Sequence, residues 1–442
     1  GFQTVDTGRL TIELDNTDGR YNPFNQASPI WPYVRPGVRI KVLTSTPDDE
    51  VSARPVFTGR IDDVLPISGN FERVKITALD GMEWLDGASA SLSTQANQKP
   101  EELIQTILNA VAWPWGANLG VSSAVVPWFW WPTNLNAKDL IGDLARAYLG
   151  TFFVAADGDA TFYSRSHVFD SATIRLEQSQ IGREMQFQVP WEVVRNQVSV
   201  TCHPRQTSAS TVLWSFFDKP QIAAGASFSA RGTYMIDGTE TPIDTYTTPV
   251  AGTDFTANTL MDGSGTDLTA SFSVAVTVYA NVVYITVTNN GGVAGYLTLL
   301  QFRGTPLRTS TVNQSAIDAD SQILYGPRKF EIDSEFLQNA DTALALANVV
   351  LQQQAYPQYY PTITVTDRPD IQFSLDLFDF VDLAIDKLGI VSTYQLAYIE
   401  HSWTSETGQQ SESIFGMEPV NNVMGTVWTF TTQIGISSIF SF

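Results

Sequence analysis

Short runs of alternating apolar and polar residues constrain this chain more than any other feature. At residues 10–15, apolar side chains occupy the even positions, and residues 38–42 and 74–78 repeat the alternation. Period-two alternation places the apolar side chains on one face of a β-strand. Turn-forming clusters at 16–19 and 68–70 separate these runs. Several short strands at this spacing predict a small barrel or sandwich near the N-terminus.

Helical spacing follows the first β region. Pro100 stands where a helix can begin, because the first turn of a helix does not use the donor that proline lacks. A second helix is predicted after Asn136, with Gly150 as its C-cap. Asp157-Gly158 between two apolar runs indicates a β-hairpin. Together these elements predict a small α+β domain.

The pattern changes again in the middle of the chain, which becomes rich in Thr, Ser and Gly and loses helical spacing. Residues 272–278 and 283–287 alternate on either side of a turn at Ala280-Asn281. This composition predicts an all-β domain inserted into the surrounding fold. We expect this domain to project outward and to be dispensable for folding of the rest, because surface loops tolerate insertions.

A helix is predicted after the insertion, with an apolar stripe of Ala340, Leu344, Ala347 and Val350 and an end before Pro357. The predicted fold class is therefore mainly β with a small α+β domain, in a multidomain chain. The predicted units are a barrel-like domain at 1–95, the α+β domain at 96–190, an inserted β-sandwich domain at 205–311, and a second barrel-like domain with one helix formed by 191–204 and 312–442.

The formal net charge of −21 argues against tight binding of nucleic acid, because an acidic surface repels phosphate backbones. DNA can still pass an acidic channel wall, since such a wall does not grip it. The alternative is that the charge serves only solubility. A single cysteine, Cys202, excludes an internal disulfide, and no apolar stretch is long enough to predict a membrane-spanning helix.

No pattern predicts a metal, a cofactor or a catalytic nucleophile. The three histidines are His167, His203 and His401, and only His203 has a neighbouring ligand type, in Cys202-His203. Adjacent side chains on a strand point to opposite faces, so this pair is not expected to chelate one ion. Nucleophile elbows, phosphate loops and dinucleotide fingerprints do not occur. The sequence therefore predicts neither an enzyme nor a cofactor.

Two acidic patterns leave alternatives open. Asp318 with Asp320, or Asp376 with Asp379, could form a glycosidase pair, but solvated or capping carboxylates are the favoured interpretation. Residues 262–267 alternate oxygen ligands in a Gly-rich loop, as calcium sites do. The twelfth-position Glu of an EF-hand is missing, so a plain turn is favoured.

A cluster of aromatic residues is the candidate interface. It suits three roles: packing over the two helices of the α+β domain, contact with another subunit, or sugar binding. The candidate residues are Trp113, Trp115, Trp128, Phe129, Trp130 and Trp131.

The N-terminal motif carries a family resemblance. Its residues are Gly8-Arg9-Leu10-Thr11-Ile12-Glu13-Leu14-Asp15-Asn16-Thr17-Asp18-Gly19-Arg20-Tyr21-Asn22-Pro23-Phe24-Asn25, Pro36-Gly37-Val38-Arg39-Ile40 and Phe57-Thr58-Gly59-Arg60-Ile61. Ser28-Pro29 and a late Tyr398-Ile399-Glu400-His401-Ser402-Trp403 segment, followed by Gly408, add to this motif. With these residues the chain resembles the minor tail or baseplate-hub (tail-tip) proteins of long-tailed bacteriophages.

The resemblance implies a structural protein of the virion, located at the tail tip. It implies a homotrimeric ring around the tail axis, with two barrel-like hub domains in each chain. The ring would close or extend the tail tube and contact distal tail or tail tube protein, tape measure protein, and tail fibre or tip proteins. Two alternatives remain: a secreted carbohydrate-binding or carbohydrate-cleaving β-rich protein, and a component of a related injection or gene-transfer particle.

Overall fold

The structure, a computed structural model, describes residues 6–46, 49–67, 72–164, 174–181, 185–404 and 410–420. The turn predicted at 68–70, His167, Gly408 and residues 421–442 lie outside the described residues.

Four antiparallel strands form the N-terminal sheet, in the order β1-β4-β3-β2. Burial in this sheet follows the alternation of the sequence: Leu10, Val74 and Ile76 are buried, and their neighbours along each strand are more exposed. The strands are β1 (Arg9–Asp15), β2 (Arg39–Thr46), β3 (Asp49–Ile67) and β4 (Arg73–Leu79).

The two predicted helices follow, with a hairpin packed against them. Three further strands then lead into the middle of the chain. The elements are α1 (Gly81–Asp86), β5 (Gln95–Gln98), α2 (Pro100–Ala110), β6 (Ala117–Leu119), β7 (Val126–Phe129), α3 (Ala137–Ala147), β8 (Thr151–Val154), β9 (Ala160–Tyr163), β10 (Ile174–Glu177), β11 (Met185–Gln188) and β12 (Gln197–Cys202).

The end of α3 differs from the prediction. Gly150 is not the residue that reverses the helix, because Leu149 adopts the left-handed conformation, with φ of 56°. The amide of Gly150 then donates to the carbonyl of Ala145 at 2.9 Å, which closes the helix end. Glycine is needed at position 150 for a different reason: a Cβ there would collide with the ring of Phe162.

One long strand, β23, organises the middle of the chain. It pairs with β13, β14, β15, β19 and β20, while β16, β22 and β21 form a second sheet, and apolar side chains from both sheets share one core. The strands are β13 (Arg205–Thr207), β14 (Thr211–Phe216), β15 (Gln221–Ile222), β16 (Ser227–Thr233), β17 (Met235–Ile236), β18 (Thr239–Glu240), β19 (Ile243–Thr247), β20 (Phe255–Asn258), β21 (Phe272–Val278), β22 (Val282–Asn289) and β23 (Gly295–Thr309).

The C-terminal part combines a sheet, β10-β27-β28-β29-β26-β11, with a three-stranded sheet, β24-β12-β25. The elements are β24 (Val312–Ile317), α4 (Ala319–Tyr325), β25 (Lys329–Asp333), α5 (Ala340–Gln354), β26 (Tyr360–Thr366), α6 (Pro369–Gln372), β27 (Phe380–Ile385), β28 (Ile390–Thr404) and β29 (Gln410–Pro419). Short 3-10 turns lie at Gln178–Gln180, Trp191–Val193, Thr269–Ser271 and Asp386–Leu388.

Helix α5 exists as predicted, but its buried stripe is shifted. Leu344 is exposed, and the side chains that pack into the core include Ala343, Leu346, Ala347 and Val350. The prediction for Leu344 was wrong because the helix is apolar over more than one face, so spacing alone did not identify the packed side.

The cores do not follow the sequence order of the predicted units. Strands β10 and β11, from the predicted 96–190 unit, pair with β27 and β26 of the C-terminal sheet. One large core joins α2 and α3 to β12 and α5. The predicted domain boundaries therefore stay predictions.

The mainly β, multidomain fold class is confirmed. Across the described residues every sheet is open, and none closes into a barrel. In the same residues, no helix is long and apolar enough to cross a membrane.

Candidate functional site

Burial divides the predicted aromatic cluster into two groups. Phe129, Trp130 and Trp131 are buried within the chain, whereas Trp113, Trp115 and Trp128 are half-buried. The cluster is therefore not one continuous exposed surface.

The buried group packs in the core beside the segment that precedes α5. The rings of Phe129 and Trp130 lie 5.4 and 5.5 Å from that of Phe336. The indole Nε1 of Trp131 donates to the carbonyl of Leu135 at 2.9 Å, which satisfies its one polar atom. This arrangement is the core-packing alternative given above for the aromatic cluster.

Trp130 and Trp131 also lie where the inserted β region joins the rest of the chain. The guanidinium of Arg205 stacks over the ring of Trp130 at 4.2 Å and bonds to Glu335. Asn281 donates to the carbonyl of Trp131 at 3.0 Å. The inserted region is thus hydrogen-bonded to the α+β elements as well as covalently connected to the chain.

The half-buried pair Trp113 and Trp115 joins the N-terminal sheet to the α+β elements. Their rings meet edge to face at 4.9 Å. Arg39 lies over Trp115 at 5.4 Å and donates to the carbonyl of Pro114 at 2.6 Å. Arg60 lies over the ring of Trp84 at 4.2 Å. These contacts are cation–π stacks that hold two parts of one chain together.

The nominated carboxylate pairs bind backbone amides. Asp318 accepts from the amide of Ser321 at 2.8 Å and caps α4. Asp376 accepts from Ala156 at 3.3 Å, and Asp379 accepts from the amide of Asp376 at 2.8 Å. Burial raises the pKa of Asp376 above its usual range. Asp318 is thus a capping carboxylate, in keeping with the favoured interpretation of solvated or capping groups, whereas Asp376 and Asp379 accept from amides in loops.

The Gly-rich loop at 262–267 is a turn held by its own carboxylates. Asp262 accepts from the amide of Ser264 at 2.9 Å, and Asp267 accepts from that of Thr269 at 2.8 Å. Within the described ranges, no group of three or more His, Cys, Asp or Glu side chains is placed to hold a metal ion.

Among the described residues, His401 and Ser413 form a serine–histidine contact that resembles a nucleophile pair. The Nδ1 of His401 lies 2.7 Å from the hydroxyl of Ser413. Ser413 is completely buried and also accepts from Gln372 at 3.1 Å. Burial lowers the pKa of His401 to about 4, so the ring is neutral at physiological pH. A substrate cannot reach this hydroxyl, and the pair serves packing between β28 and β29.

An exposed aromatic loop, residues 19–38 between β1 and β2, was not nominated from the sequence. Phe24 is 88% exposed, and Trp31 and Tyr33 are exposed beside it. Successive turns hold the loop, with amide-to-carbonyl bonds between every third residue from Gly19 to Trp31. The signal was present, since this loop is the centre of the N-terminal motif, but the motif was interpreted only for its turns.

A second exposed surface surrounds α4. Ile323 and Leu324 are 82% and 67% exposed, whereas the buried residue of this helix is Ser321. Ile317 and Tyr356 are exposed next to them, and the Tyr356 hydroxyl lies 3.4 Å from Asp318. We call Ile317, Asp318, Asp320, Ile323, Leu324 and Tyr356 the α4 surface.

Comparison with known proteins gives a fold but no sequence family. No family model matches the chain, and no curated protein matches it. Among solved structures, the chain is similar to the 43 kDa tail protein of prophage MuSo2 from Shewanella oneidensis, with 10% identity and a TM-score of 0.50, over 94% of this chain and 90% of that one. The fold is that of a prophage tail protein.

Two further tail proteins show lower similarity. That from Neisseria meningitidis MC58 has a TM-score of 0.48 at 10% identity, over 92% of this chain and 91% of that one. Prophage tail protein gp18 from Listeria monocytogenes EGD-e has a TM-score of 0.38 at 10% identity, over 85% and 83%.

Proposed function

We propose that this protein is a structural component of a phage tail tip or baseplate hub. Three copies form a ring that closes or extends the tail tube and anchors fibre or tip proteins. The observation that carries the proposal is the tail-protein fold, shared over 94% of the chain. The protein is proposed to be non-enzymatic, in keeping with Asp318 as a helix cap and with the complete burial of Ser413 beside His401.

The partners follow from that position. The ring contacts distal tail or tail tube protein on one side, and tape measure, fibre or tip proteins on the other. With a net charge of −21, its channel lets DNA pass without holding it. In this structural role the protein needs no cofactor, and it resides in the virion, at the tail tip.

The carbohydrate-binding alternative loses part of its support. It rested on the tryptophan content and on the β-rich insert, and of the candidate aromatic side chains Phe129, Trp130 and Trp131 are buried and offer no sugar platform. An injection or gene-transfer particle would use the same ring.

The test is a cryo-EM map of the intact particle, combined with sedimentation analysis of the purified chain. The expected results are a threefold ring at the distal end of the tail and a trimer in solution. A peripheral fibre position in the map, or a monomer over the whole concentration range, would contradict the proposal. The same map shows whether the ring belongs to a phage tail, an injection particle or a gene-transfer particle.

A further inference from the structure

We propose that the aromatic loop of one copy docks on the α4 surface of the next copy. The proposal rests on the proposed ring, because a contact between two different surfaces of one chain repeats around a closed ring. It assigns a role to the two exposed apolar surfaces described above.

The aromatic loop has an apolar centre with a basic rim. Phe24, Trp31 and Tyr33 expose large rings to solvent. Residues 19–47 contain four basic side chains and no acidic one, in a chain whose net charge is −21. Arg20 pairs with Asp18 at 2.5 Å and Arg39 stacks on Trp115 of its own chain, so Arg35 and Lys41 are the cationic side chains that form the rim.

The loop is rigid before it meets a partner. The hydroxyl of Ser28 donates to the carbonyl of Arg20 at 2.7 Å, and the amide side chain of Asn25 donates to that of Gly19 at 3.1 Å. The side chain of Asn16 accepts from the amide of Tyr21 at 2.9 Å. A loop ordered in this way has already lost the conformational entropy that binding would otherwise cost, so its exposed rings are suited to anchor an interface.

The α4 surface has the opposite electrostatic character. The helix presents Ile323 and Leu324 to solvent while it buries a serine, which reverses the usual polarity of a surface helix. Asp318 and Asp320 flank these side chains. The C-terminal sequence at 312–442, to which α4 belongs, contains 16 acidic and four basic side chains, which account for more than half of the net charge of −21. Of the two basic residues that follow α4 most closely, Arg328 and Lys329, the first is stacked on Trp191 of its own chain.

The charges of the two surfaces indicate which surface can bind which. A contact between two α4 surfaces would place aspartate against aspartate, and a contact between two loops would place arginine against arginine. Like charges brought together at an interface are unfavourable, whereas the loop and the α4 surface are complementary in charge and are both apolar at the centre. A second copy, bound head to tail, therefore supplies the matching surface.

The first test compares paired serine substitutions by sedimentation velocity of the full chain. Phe24→Ser with Tyr33→Ser, and separately Ile323→Ser with Leu324→Ser, should each weaken self-association at least tenfold. Phe217→Ser is the matched control, because Phe217 is as exposed as Phe24, at 88%, but lies in the inserted region. It should associate like the wild type, and thermal unfolding should verify that all variants are folded.

Mixing the two double variants tests the head-to-tail geometry. Each variant alone has lost one of the two surfaces and should be monomeric. A 1:1 mixture retains one intact loop and one intact α4 surface, so it should form dimers but no trimers. If the mixture remains monomeric while the wild type is trimeric, the two surfaces do not bind each other.

Charge exchange supplies an independent check. Arg35→Glu should weaken association, and Asp320→Lys in the same chain should restore it, since both side chains are exposed. A wild-type trimer that none of these substitutions affects would overturn the docking proposal and leave the ring intact. A monomeric wild type would overturn the ring and the docking contact together.

Discussion

At the scale of single residues, buried polar side chains bond to backbone groups of other segments, and burial disfavours the charged form of those that can ionise. Asn196 is fully buried and neutral: it donates to the carbonyl of Gly326 at 2.9 Å and accepts from the amide of Arg328 at 2.7 Å. Asp80 accepts from Met82 at 2.9 Å and from Gly8 at 2.8 Å. Because Asp80 is a carboxyl group, burial raises its pKa to about 6 despite these bonds.

Asp80→Asn should therefore change how stability depends on pH. A folded-state pKa raised from 3.8 to about 6 contributes stability below pH 4, which is lost as the pH rises through 6. The asparagine variant lacks this loss. As the pH rises from 4 to 7.5, the free energy of unfolding of the variant, relative to that of the wild type, should increase by roughly 1–3 kcal/mol.

Urea unfolding at several pH values measures this difference. The loss of the bond from Gly8 shifts the variant by the same amount at every pH, so the slope is the diagnostic quantity. Asp62→Asn, at an exposed position, controls for removal of one negative charge. Parallel pH profiles for the wild type and Asp80→Asn would show that Asp80 ionises normally.

At the scale of elements, helix ends show how local geometry overrides residue preference. Helix α2 ends in a reversal at Ala112, which has φ of 51°, and the amide of Trp113 then donates to the carbonyl of Leu108 at 2.9 Å. Glycine is the usual residue at such a position, because a Cβ is unfavourable in the left-handed region. Ala112 is exposed, so nothing else is gained from its methyl group.

Ala112→Gly should stabilise the protein by roughly 0.5–1 kcal/mol, as it relieves the left-handed strain at the end of α2. Ala110→Gly, at the last residue of the same helix and equally exposed, should instead destabilise it by roughly 0.5–1 kcal/mol. Chemical denaturation of both variants gives the comparison. A loss of stability in both would mean that the reversal at Ala112 is not strained.

The sequence predicted elements whose pattern is local and missed contacts that join distant segments. Alternation located β1, β4, β21 and β22, and Asn136 located the start of α3. The parallel pairing of β10 with β27 had no local signal, because those strands lie about 200 residues apart. The inverted polarity of α4 was also missed, since a seven-residue helix has too few positions for a periodic pattern.

At the scale of the whole molecule, residues from 82–162, 198–202 and 316–350 share one hydrophobic core. The predicted inserted β region has a core of its own and contacts the rest of the chain through hydrogen bonds. Its amide at Ala280 donates to the carbonyl of Leu92 at 2.8 Å, and Thr94 donates to the carbonyl of Ile243. With the bond from Asn281 to Trp131, these contacts tie the region to the α+β elements. The predicted insertion is therefore hydrogen-bonded to the α+β elements at its base.

Replacing residues 207–307 with a short Gly/Ser turn should leave a folded protein of lower stability. The loss of the hydrogen bonds at the base should lower the melting temperature by roughly 5 °C, while Arg205 and its stack on Trp130 remain. Differential scanning calorimetry should still show a cooperative transition. Aggregation of the variant, or a broad transition, would mean that the inserted region is part of the folding core.

The place where the inserted region joins the chain has an evolutionary consequence. Arg205 on β13 and Thr309 on β23 are partners in one ladder, so the chain leaves the surrounding fold and returns to it at neighbouring positions. Recombination with breakpoints at this ladder can exchange the region for one of another length without changing the spacing of β12 and β24, which pair just beyond it. The pairing of β12 with β24 is therefore compatible with regions of different length between Arg205 and Thr309.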